Sequence, residues 1–491
     1  MKKFFEKHDL FKLTGIMMLV AALLTWILTY SVYNGSELVW FNDGTVKPFS
    51  IFDTSTIGIF DFNTYGLLSL YYFTNVFVFI FVVFGFYKVI GSTESYKAIV
   101  EKIANVFKGK ELIYIIVNVV FYAIFASVAT SKFILFAFIP FSLSVLNRLK
   151  VDKIGALMTT FGASIIGVIA ATYSEDVVGS LINYGGFAIK YGYEFASIVV
   201  MAVILVALLV VFIALRMKNA KKLEVVPDLF SEATAVAEEK KTKKKTVKRT
   251  RIVPMSIILV VFFVILILGF VSWTALNVDV FTNLHKSITE ATIGGKDLIY
   301  PILVLGSTTL GALGTWDLFT AGSFMIITMV IVKFVEGIKL DSVIDNIGEG
   351  IKLSVKPVAL LMMIYTVLVF SVSYPVIPGV VNAIMTTLTA KVLRPVAWVL
   401  SGFVTSVFTV DMQYTTSVIG SLFASFNSNA AALALQASYG IAGFIAPTSA
   451  ILMLGLSMLD IKFKDYFKFI WKFLLALVVV VLAVLYILLY V

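Results

Sequence analysis

Cysteine is missing from this sequence, and histidine occurs only at His8 and His285. The absence of thiols excludes disulfides and cysteine-ligated zinc or iron–sulfur centres. Two histidines so far apart in the chain are too few to suggest a histidine metal site. A Ser/His/Asp set, a His-Glu-x-x-His motif and a glycine-rich phosphate-binding loop are also missing. We therefore expect a protein that is not an enzyme and that holds no metal and no cofactor.

Charged residues are scarce, and apolar residues take their place. Only 14% of the 491 residues are charged and 60% are hydrophobic, whereas soluble domains have about 25% and roughly 45–50%. This composition predicts an all-α polytopic membrane protein. The formal net charge of +10 concentrates between the predicted spans, as the positive-inside rule describes, so no nucleic-acid partner is expected. Since Lys2, Lys3, Lys7 and Lys12 precede the first span, we expect a multi-pass plasma-membrane protein with a cytoplasmic N-terminus.

The chain divides into two halves around a basic segment. Residues 1–215 form the N-terminal half and residues 252–491 the C-terminal half. Between them, residues 216–251 carry a dense run of lysine and arginine. We expect this segment to be a solvated cytoplasmic linker, with contact to anionic lipid headgroups as the alternative. Within the C-terminal half, residues 336–356 are expected to be cytoplasmic and residues 357–370 to form a separate span.

An apolar span at residues 430–459 is interrupted near its middle by Pro447-Thr448-Ser449. Proline removes one backbone donor and clashes with the carbonyl four residues earlier. A carbonyl freed inside a membrane is tolerated only where protein or a wet cavity receives it. The break is therefore a candidate binding site, where the ends of two half-helices present partial charges to an ion or a substrate. The alternative is a packing kink in which the Thr448 and Ser449 hydroxyls satisfy the backbone.

Three further apolar segments are interrupted in a similar way. Residues 112–148 predict a helical hairpin with a polar tip, because cationic residues flank both ends; two ordinary spans with a tight outer turn are the alternative. Residues 154–178 predict another broken helix, and residues 396–427 a second hairpin. The order of hairpin, broken helix and plain span then occurs twice, in opposite orientations. Inverted repeats built from discontinuous helices are an architecture of secondary transporters.

Polar residues at the four interruptions are the candidate ligands for a substrate or an ion. Ionisable groups are costly at membrane depth, so each one is a functional hypothesis. Asp411 is the strongest, and could bind a substrate ammonium, Na⁺ or a proton, unless it reaches water outside a turn. Lys132 could pair with a substrate carboxylate or with a nearby acid, whereas Glu175 and Asp176 could instead face the outer solution. The predicted substrate or ion site comprises Thr130, Ser131, Lys132, Thr172, Ser174, Glu175, Asp411, Gln413, Thr415, Pro447, Thr448 and Ser449.

Two segments near the C-terminus carry a recognisable signature. They are Tyr439-Gly440 leading into Ala446-Pro447-Thr448-Ser449-Ala450-Ile451-Leu452-Met453, and Asp465-Tyr466-Phe467-Lys468-Phe469. The sequence here resembles the YfcC family, which belongs with the C4-dicarboxylate anaerobic carriers and the ArcD-type basic amino acid antiporters of the ion-transporter superfamily. The resemblance extends more loosely over most of the chain. It implies scaffold and transport domains, two opposed hairpins, elevator-like movement and a homodimer.

The sequence departs from this family at the polar tips of both hairpins. A Met-Ala-Glu-Glu-like tip is usual in the first hairpin, where this chain has Ala129-Thr130-Ser131-Lys132. A Pro-Ser-Ser-Ser-Gly-like tip is usual in the second, where this chain has Val410-Asp411-Met412-Gln413-Tyr414. Because the tips carry more acid than base, a zwitterionic or cationic substrate is expected as readily as a dicarboxylate.

We therefore predict a secondary active transporter that moves small charged metabolites across the plasma membrane by ion coupling or exchange. Amino acids, basic ones among them, and carboxylates are the expected substrates, and Na⁺ or H⁺ is the expected coupling ion. The expected partners are the metabolite, the lipid bilayer and a second copy of the chain. A passive channel or a non-transporting membrane scaffold is the alternative, which saturable flux with counterflow would exclude.

Overall fold

The computed structural model is almost entirely α-helical. It describes residues 9–28, 38–42, 45–49, 56–218, 224–230, 252–293, 296–297, 311–374, 376–424 and 428–490. The most basic run of the linker and the first three lysines of the chain lie outside the described residues, so the predictions that rest on them stay untested.

The described helices of the N-terminal half begin with a long apolar helix and end with another. They are α1 (Asp9–Leu28), α2 (Ile59–Tyr72), α3 (Thr74–Gly91), α4 (Glu94–Phe107), α5 (Glu111–Val128), a 3₁₀ helix (Lys132–Ala137), α6 (Ile139–Arg148), α7 (Lys153–Ile169, π-helical over Met158–Gly162), a π-helical turn (Glu175–Gly179), α8 (Ser180–Asn183) and α9 (Phe195–Lys218). Two antiparallel strands, β1 (Leu38–Asn42) and β2 (Thr45–Phe49), lie between α1 and α2.

The described helices of the C-terminal half also begin and end with a long apolar helix. They are α10 (Ile252–Phe270), α11 (Val280–Thr289), α12 (Leu318–Glu336), α13 (Leu340–Ser373), α14 (Ile377–Thr387), a 3₁₀ turn (Lys391–Leu393), α15 (Arg394–Thr409), α16 (Met412–Ala424), α17 (Ser428–Ile445), α18 (Ala450–Met458) and α19 (Phe463–Tyr490). A second antiparallel pair, β3 (Thr292–Ile293) and β4 (Lys296–Asp297), follows α11.

Ten helices in the described part of the chain are long and apolar enough to cross a membrane. This confirms the prediction of a multi-pass helical membrane protein. Helix α4 is amphipathic and is not one of these ten helices. It buries one face and exposes cationic side chains on the other, and the hydroxyl of its N-cap Thr93 accepts the Tyr96 N–H.

Helix α13 is longer than the sequence suggests. The prediction that a separate span begins at residue 357 is wrong, because one helix of 34 residues, Leu340–Ser373, runs through Pro357. The cytoplasmic location of residues 336–356 stays a prediction. Proline removes one helical hydrogen bond and crowds the carbonyl four residues earlier, but Pro357 is buried by packing and the helix continues through it. At 1.5 Å per residue the helix is about 51 Å long, and it therefore extends well beyond a hydrocarbon core of about 30 Å.

One group of helices forms around α13, which packs along α3, α1 and α2. The contact with α3 is close because two glycines face each other. A Cβ atom on Gly350 of α13 would lie 2.6 Å from the Cα of Gly85 in α3. Small residues let helix backbones approach within a membrane, where dispersion contacts rather than the hydrophobic effect drive association.

A second group joins the interrupted helices of the two halves. Helix α5 packs on α7, α15 packs on α17, and α17 crosses α7. The crossing requires glycine at residue 440, since a Cβ atom there would collide with the Ile169 side chain of α7. The two interrupted helices therefore touch directly, although one lies in each half of the chain.

A short stretch at the start of the central linker, residues 224–230, connects these two groups. Its backbone pairs with the start of α7: the Lys153 N–H donates to the Glu224 carbonyl at 3.0 Å, and the Val226 N–H donates to the Val151 carbonyl at 3.1 Å. At its other end the buried ring of Phe230 packs against two aromatic rings of α3.

The glycine contact between α3 and α13 leads to a stability prediction. Gly350→Ala should lower the melting temperature in detergent, because its methyl group meets backbone atoms that cannot move aside; overpacking of this kind costs about 1–3 kcal/mol. Gly348→Ala is the matched control on the same helix, since its methyl group would meet nothing within 4 Å. Alanine favours helix, so the control should melt at the wild-type temperature or above it. Equal melting of the two variants would contradict the assigned contact.

Candidate substrate site

The first break, residues 170–174 after α7, has its backbone groups satisfied by distant parts of the chain. The side-chain amide of Gln436 in α17 donates to the carbonyls of Ile169 at 2.8 Å and Ala171 at 3.0 Å. The Thr172 N–H donates to the Ser127 carbonyl at the end of α5, at 3.1 Å. Helix ends away from water need such partners, and here the second interrupted helix supplies one of them.

The second break separates α17 from α18 and uses its own hydroxyl groups. Thr448 donates a hydrogen bond to the Val407 carbonyl of α15. The Ser449 hydroxyl accepts the Leu452 N–H at 3.4 Å and so caps α18. Both hydroxyls satisfy the backbone, as the packing-kink alternative requires, while the break lies beside the site described next.

A buried ion pair lies where the interrupted segments of both halves meet. The Lys132 Nζ is 2.5 Å from the Asp411 Oδ2 and 3.9 Å from the Asp176 Oδ2. It also donates to the Tyr439 hydroxyl at 2.7 Å. The Lys132 side chain is only 4% exposed, whereas Asp411 and Asp176 keep 17% and 19%. The cation is therefore enclosed, and the two carboxylates are its partly wetted side.

Lys132 is held in place through its backbone as well as its side chain. The Asp176 Oδ2 accepts the Lys132 N–H at 3.3 Å. Ser131 precedes the 3₁₀ helix and its hydroxyl accepts the Phe133 N–H at 3.3 Å. These contacts start the 3₁₀ helix at Lys132, which directs the ammonium group inward.

Asp411 is positioned by an unusual turn between α15 and α16. Val410 has φ +61°, a conformation that is rare for a β-branched residue and costs about 1–3 kcal/mol. The turn is stabilised on both sides: the Val410 carbonyl accepts the Tyr439 hydroxyl at 3.2 Å, and the Asp411 Oδ1 accepts the Gln413 N–H at 3.1 Å. The carboxylate thus caps α16 with one oxygen and pairs with Lys132 through the other.

The ion pair separates two cavities. On one side is an open cleft of about 660 Å³, bordered by Asp176 and Asp411. On the other is a small internal cavity of about 30 Å³, bordered by Lys132, Tyr439 and Ser449. A small metabolite fits the cleft, whereas the internal cavity has room for one or two water molecules. The Lys132–Asp411 pair thus has one partner on each cavity.

The predicted site residues fall into three groups. The cleft is bordered by Thr130, Ser131, Glu175, Asp411 and Gln413. The internal cavity is bordered by Lys132 and Ser449. The remaining residues are buried ones that bond the backbone, Thr172, Ser174, Thr415 and Thr448, together with Pro447 in the second break. Glu175 is exposed and bonds with Asn183 and Tyr191, so it faces the outer part of the cleft. The buried Thr130 hydroxyl has no hydrogen-bond partner among the described residues, although the residue borders the cleft.

Three residues of this arrangement, Tyr439, Gln436 and Asp176, are not among the predicted site residues. In the sequence, Tyr439 resembles an ordinary aromatic residue of the core. Its hydroxyl bonds the Lys132 ammonium and the Val410 carbonyl, and these contacts depend on the turn at Val410. Gln436 could have been found, because an amide within an apolar span needs buried partners. Of the two neighbouring acids, Asp176 rather than the predicted Glu175 forms the ion pair with Lys132.

Residues 8–490 match the family model of DcuC, the C4-dicarboxylate anaerobic carriers. The chain belongs to this family. It is accordingly a membrane transporter, as predicted, and dicarboxylate transport fits the family description. The narrower resemblance of this DcuC-family chain to the YfcC and ArcD-type proteins stays a prediction.

Two solved transporter structures are similar over nearly the whole chain. The Alcanivorax borkumensis YdaH transporter has 13% sequence identity and a TM-score of 0.40, with 97% of each chain covered. MtrF of Neisseria gonorrhoeae, from a class of antimetabolite efflux pumps, has 10% identity and a TM-score of 0.39, with 96% of this chain and 94% of that chain covered. No curated protein matches the sequence.

The amide of Gln436 should be essential to the stability of the first break. Gln436→Leu keeps the side chain of similar size but leaves two buried carbonyls and the Tyr193 hydroxyl, which donates to Gln436 at 3.0 Å, without their partner. Each unsatisfied group costs about 1–3 kcal/mol, so the melting temperature in detergent should fall. Gln413→Leu at the edge of the cleft is the matched control and should change it little. A wild-type melting temperature for Gln436→Leu would contradict this assignment.

Proposed function

We propose that this protein is a secondary active transporter of small charged metabolites, carboxylates or amino acids, in the plasma membrane. The observation that supports it best is the Lys132–Asp411 ion pair, which borders a cleft of metabolite size. It lies in a carrier-family chain with ten candidate membrane spans among its described residues. A buried lysine can receive a substrate carboxylate, and the two aspartates can receive an ammonium group. Ion coupling, with Na⁺ or H⁺, or exchange would drive the movement.

The geometry favours a carrier over a passive channel or a non-transporting scaffold. A channel needs a continuous wet path, whereas here charged side chains that bind one another, Lys132, Asp411 and Asp176, lie at the cleft. A carrier needs a site that opens to one side of the membrane at a time. The Lys132–Asp411 ion pair could break when a substrate binds and re-form after its release, as such alternation requires. A scaffold has no use for a charged residue at such depth, since burying it is costly.

The proposal extends to the architecture of transport. The hairpins at residues 112–148 and 396–427 and the broken helices at 154–178 and 430–459 would form two inverted repeats that carry the site past a scaffold. The close contact of α7 with α17 supports joint movement of the two repeats. We propose a homodimer with a cytoplasmic N-terminus, as the YfcC resemblance implies; sedimentation of the detergent-purified protein and protease access to a tagged N-terminus would test these two points.

Purified protein in proteoliposomes should take up or exchange a labelled carboxylate or amino acid, with saturation and counterflow. The panel should contain C4 dicarboxylates, other organic acids, and acidic, neutral and basic amino acids. Flux that never saturates would support a channel. No flux with any member of the panel would contradict a carrier of these metabolites.

Asp411→Asn should reduce uptake by roughly tenfold or more, because a hydrogen bond to a charged group contributes about 1.5–3 kcal/mol. Membrane insertion should be retained, as judged by detergent extraction and gel filtration. The matched control is Asp279→Asn, which changes an exposed aspartate outside the cleft and should transport like wild type. Unchanged uptake by Asp411→Asn would remove this residue from the site.

A further inference from the structure

The Lys132 ammonium occupies a cage of the kind that binds a free monovalent cation. Two carboxylates face it, Asp411 at 2.5 Å and Asp176 at 3.9 Å. Two aromatic rings complete the surroundings, with the ring centres of Tyr439 and Phe133 at 5.3 Å and 5.6 Å from the Nζ. Carboxylates and aromatic faces both stabilise a positive charge, and they do so more strongly away from water.

The occupant of this cage belongs to the chain itself. Two of the three ammonium protons are directed to Asp411 and Tyr439, and the third side of the group is within ion-pair distance of Asp176. The side chain is enclosed, and its backbone N–H is fixed by the same Asp176. A metal cation that entered the cage would meet a buried like charge at short range, which is strongly unfavourable in a medium of low dielectric constant.

We propose that Lys132 is a tethered cation that takes the position a coupling metal ion would hold, so that transport by this protein does not depend on Na⁺ or K⁺. The inference rests on the proposed function of the same site and narrows its coupling to a proton or to exchange. A substrate carboxylate that enters the cleft then competes with Asp411 for the ammonium of Lys132, and the released carboxylate is free to bind a positive group of the substrate.

The test compares the melting temperature of the full-length protein in Na⁺ and in N-methyl-D-glucamine, at equal chloride concentration. Wild type should melt at the same temperature in both. Lys132→Met removes the ammonium but keeps a flexible apolar side chain, so its unpaired carboxylates should bind Na⁺ and its melting temperature should rise with Na⁺ concentration, as for any ligand of the folded state. Lys97→Met, at a lysine that is partly exposed in an ion pair on α4, is the matched control and should not respond.

Two further variants make the result specific. In Lys132→Met combined with Asp411→Asn, the Na⁺ response should disappear because one wall of the cage is lost. Lys132→Gln repeats the experiment should the methionine variant fail to fold, and it should show the same Na⁺ response. Either a Na⁺-dependent rise in the wild-type melting temperature that Asp411→Asn abolishes, or no response in any folded Lys132 variant, would overturn the proposal.

Transport measurements provide an independent readout. With a transported substrate in hand, the initial uptake rate of wild type should be the same in Na⁺, K⁺ and N-methyl-D-glucamine media. Uptake that is lost when Na⁺ is replaced would overturn the tethered-cation role while leaving the transporter function intact. Absence of flux from the whole substrate panel, together with a Na⁺ response confined to the Lys132 variants, would contradict the transporter function and leave the cation cage intact.

Discussion

The structure depends on one constraint: a helix that is interrupted away from water must find partners for its freed backbone groups. The breaks in this chain are satisfied partly by other interrupted segments and partly by their own hydroxyl groups. The amide of Gln436 donates to carbonyls at and just after the end of α7, and the hydroxyl of Thr448 donates to a carbonyl near the end of α15. The first break therefore depends on a residue of the C-terminal half, whereas the second is satisfied within its own half. The polar centre of the protein follows from this requirement.

The polar groups around these breaks also stabilise a buried ion pair, Lys132–Asp411, in a membrane protein. Removing one partner of such a pair leaves an uncompensated charge, whose cost exceeds the net contribution of the pair itself. Lys132 has three polar neighbours and Asp411 also caps α16, so each charge is satisfied more than once. The Lys132–Asp411 ion pair is stable in the absence of substrate, and a charged group of a substrate can replace either partner. A site that binds and releases a metabolite needs both properties.

Much of this could be predicted from the sequence, and the remainder depends on distances that the sequence does not contain. The multi-pass helical fold follows from long apolar runs, and Asp411 and Lys132 attract attention because charge is rare at membrane depth. Their mutual contact joins residues 279 positions apart and cannot be inferred from spacing. The role of Tyr439 depends on a turn at Val410 that breaks the usual preference of valine. Proline at 357 was misleading, since the packing around α13 overrides its local tendency to begin a helix.

The stretch at residues 224–230 has a mechanical consequence. It hydrogen-bonds to the base of α7 at one end and inserts Phe230 against α3 at the other. Seven residues span at most about 25 Å when fully extended. The segment therefore limits the distance between α7 and α3 as long as both of its ends stay attached. A larger displacement of α7 from α3 requires that Phe230 leaves its contact with α3 or that the backbone hydrogen bonds to α7 break. This part of the linker therefore restricts the relative movement of the two helices.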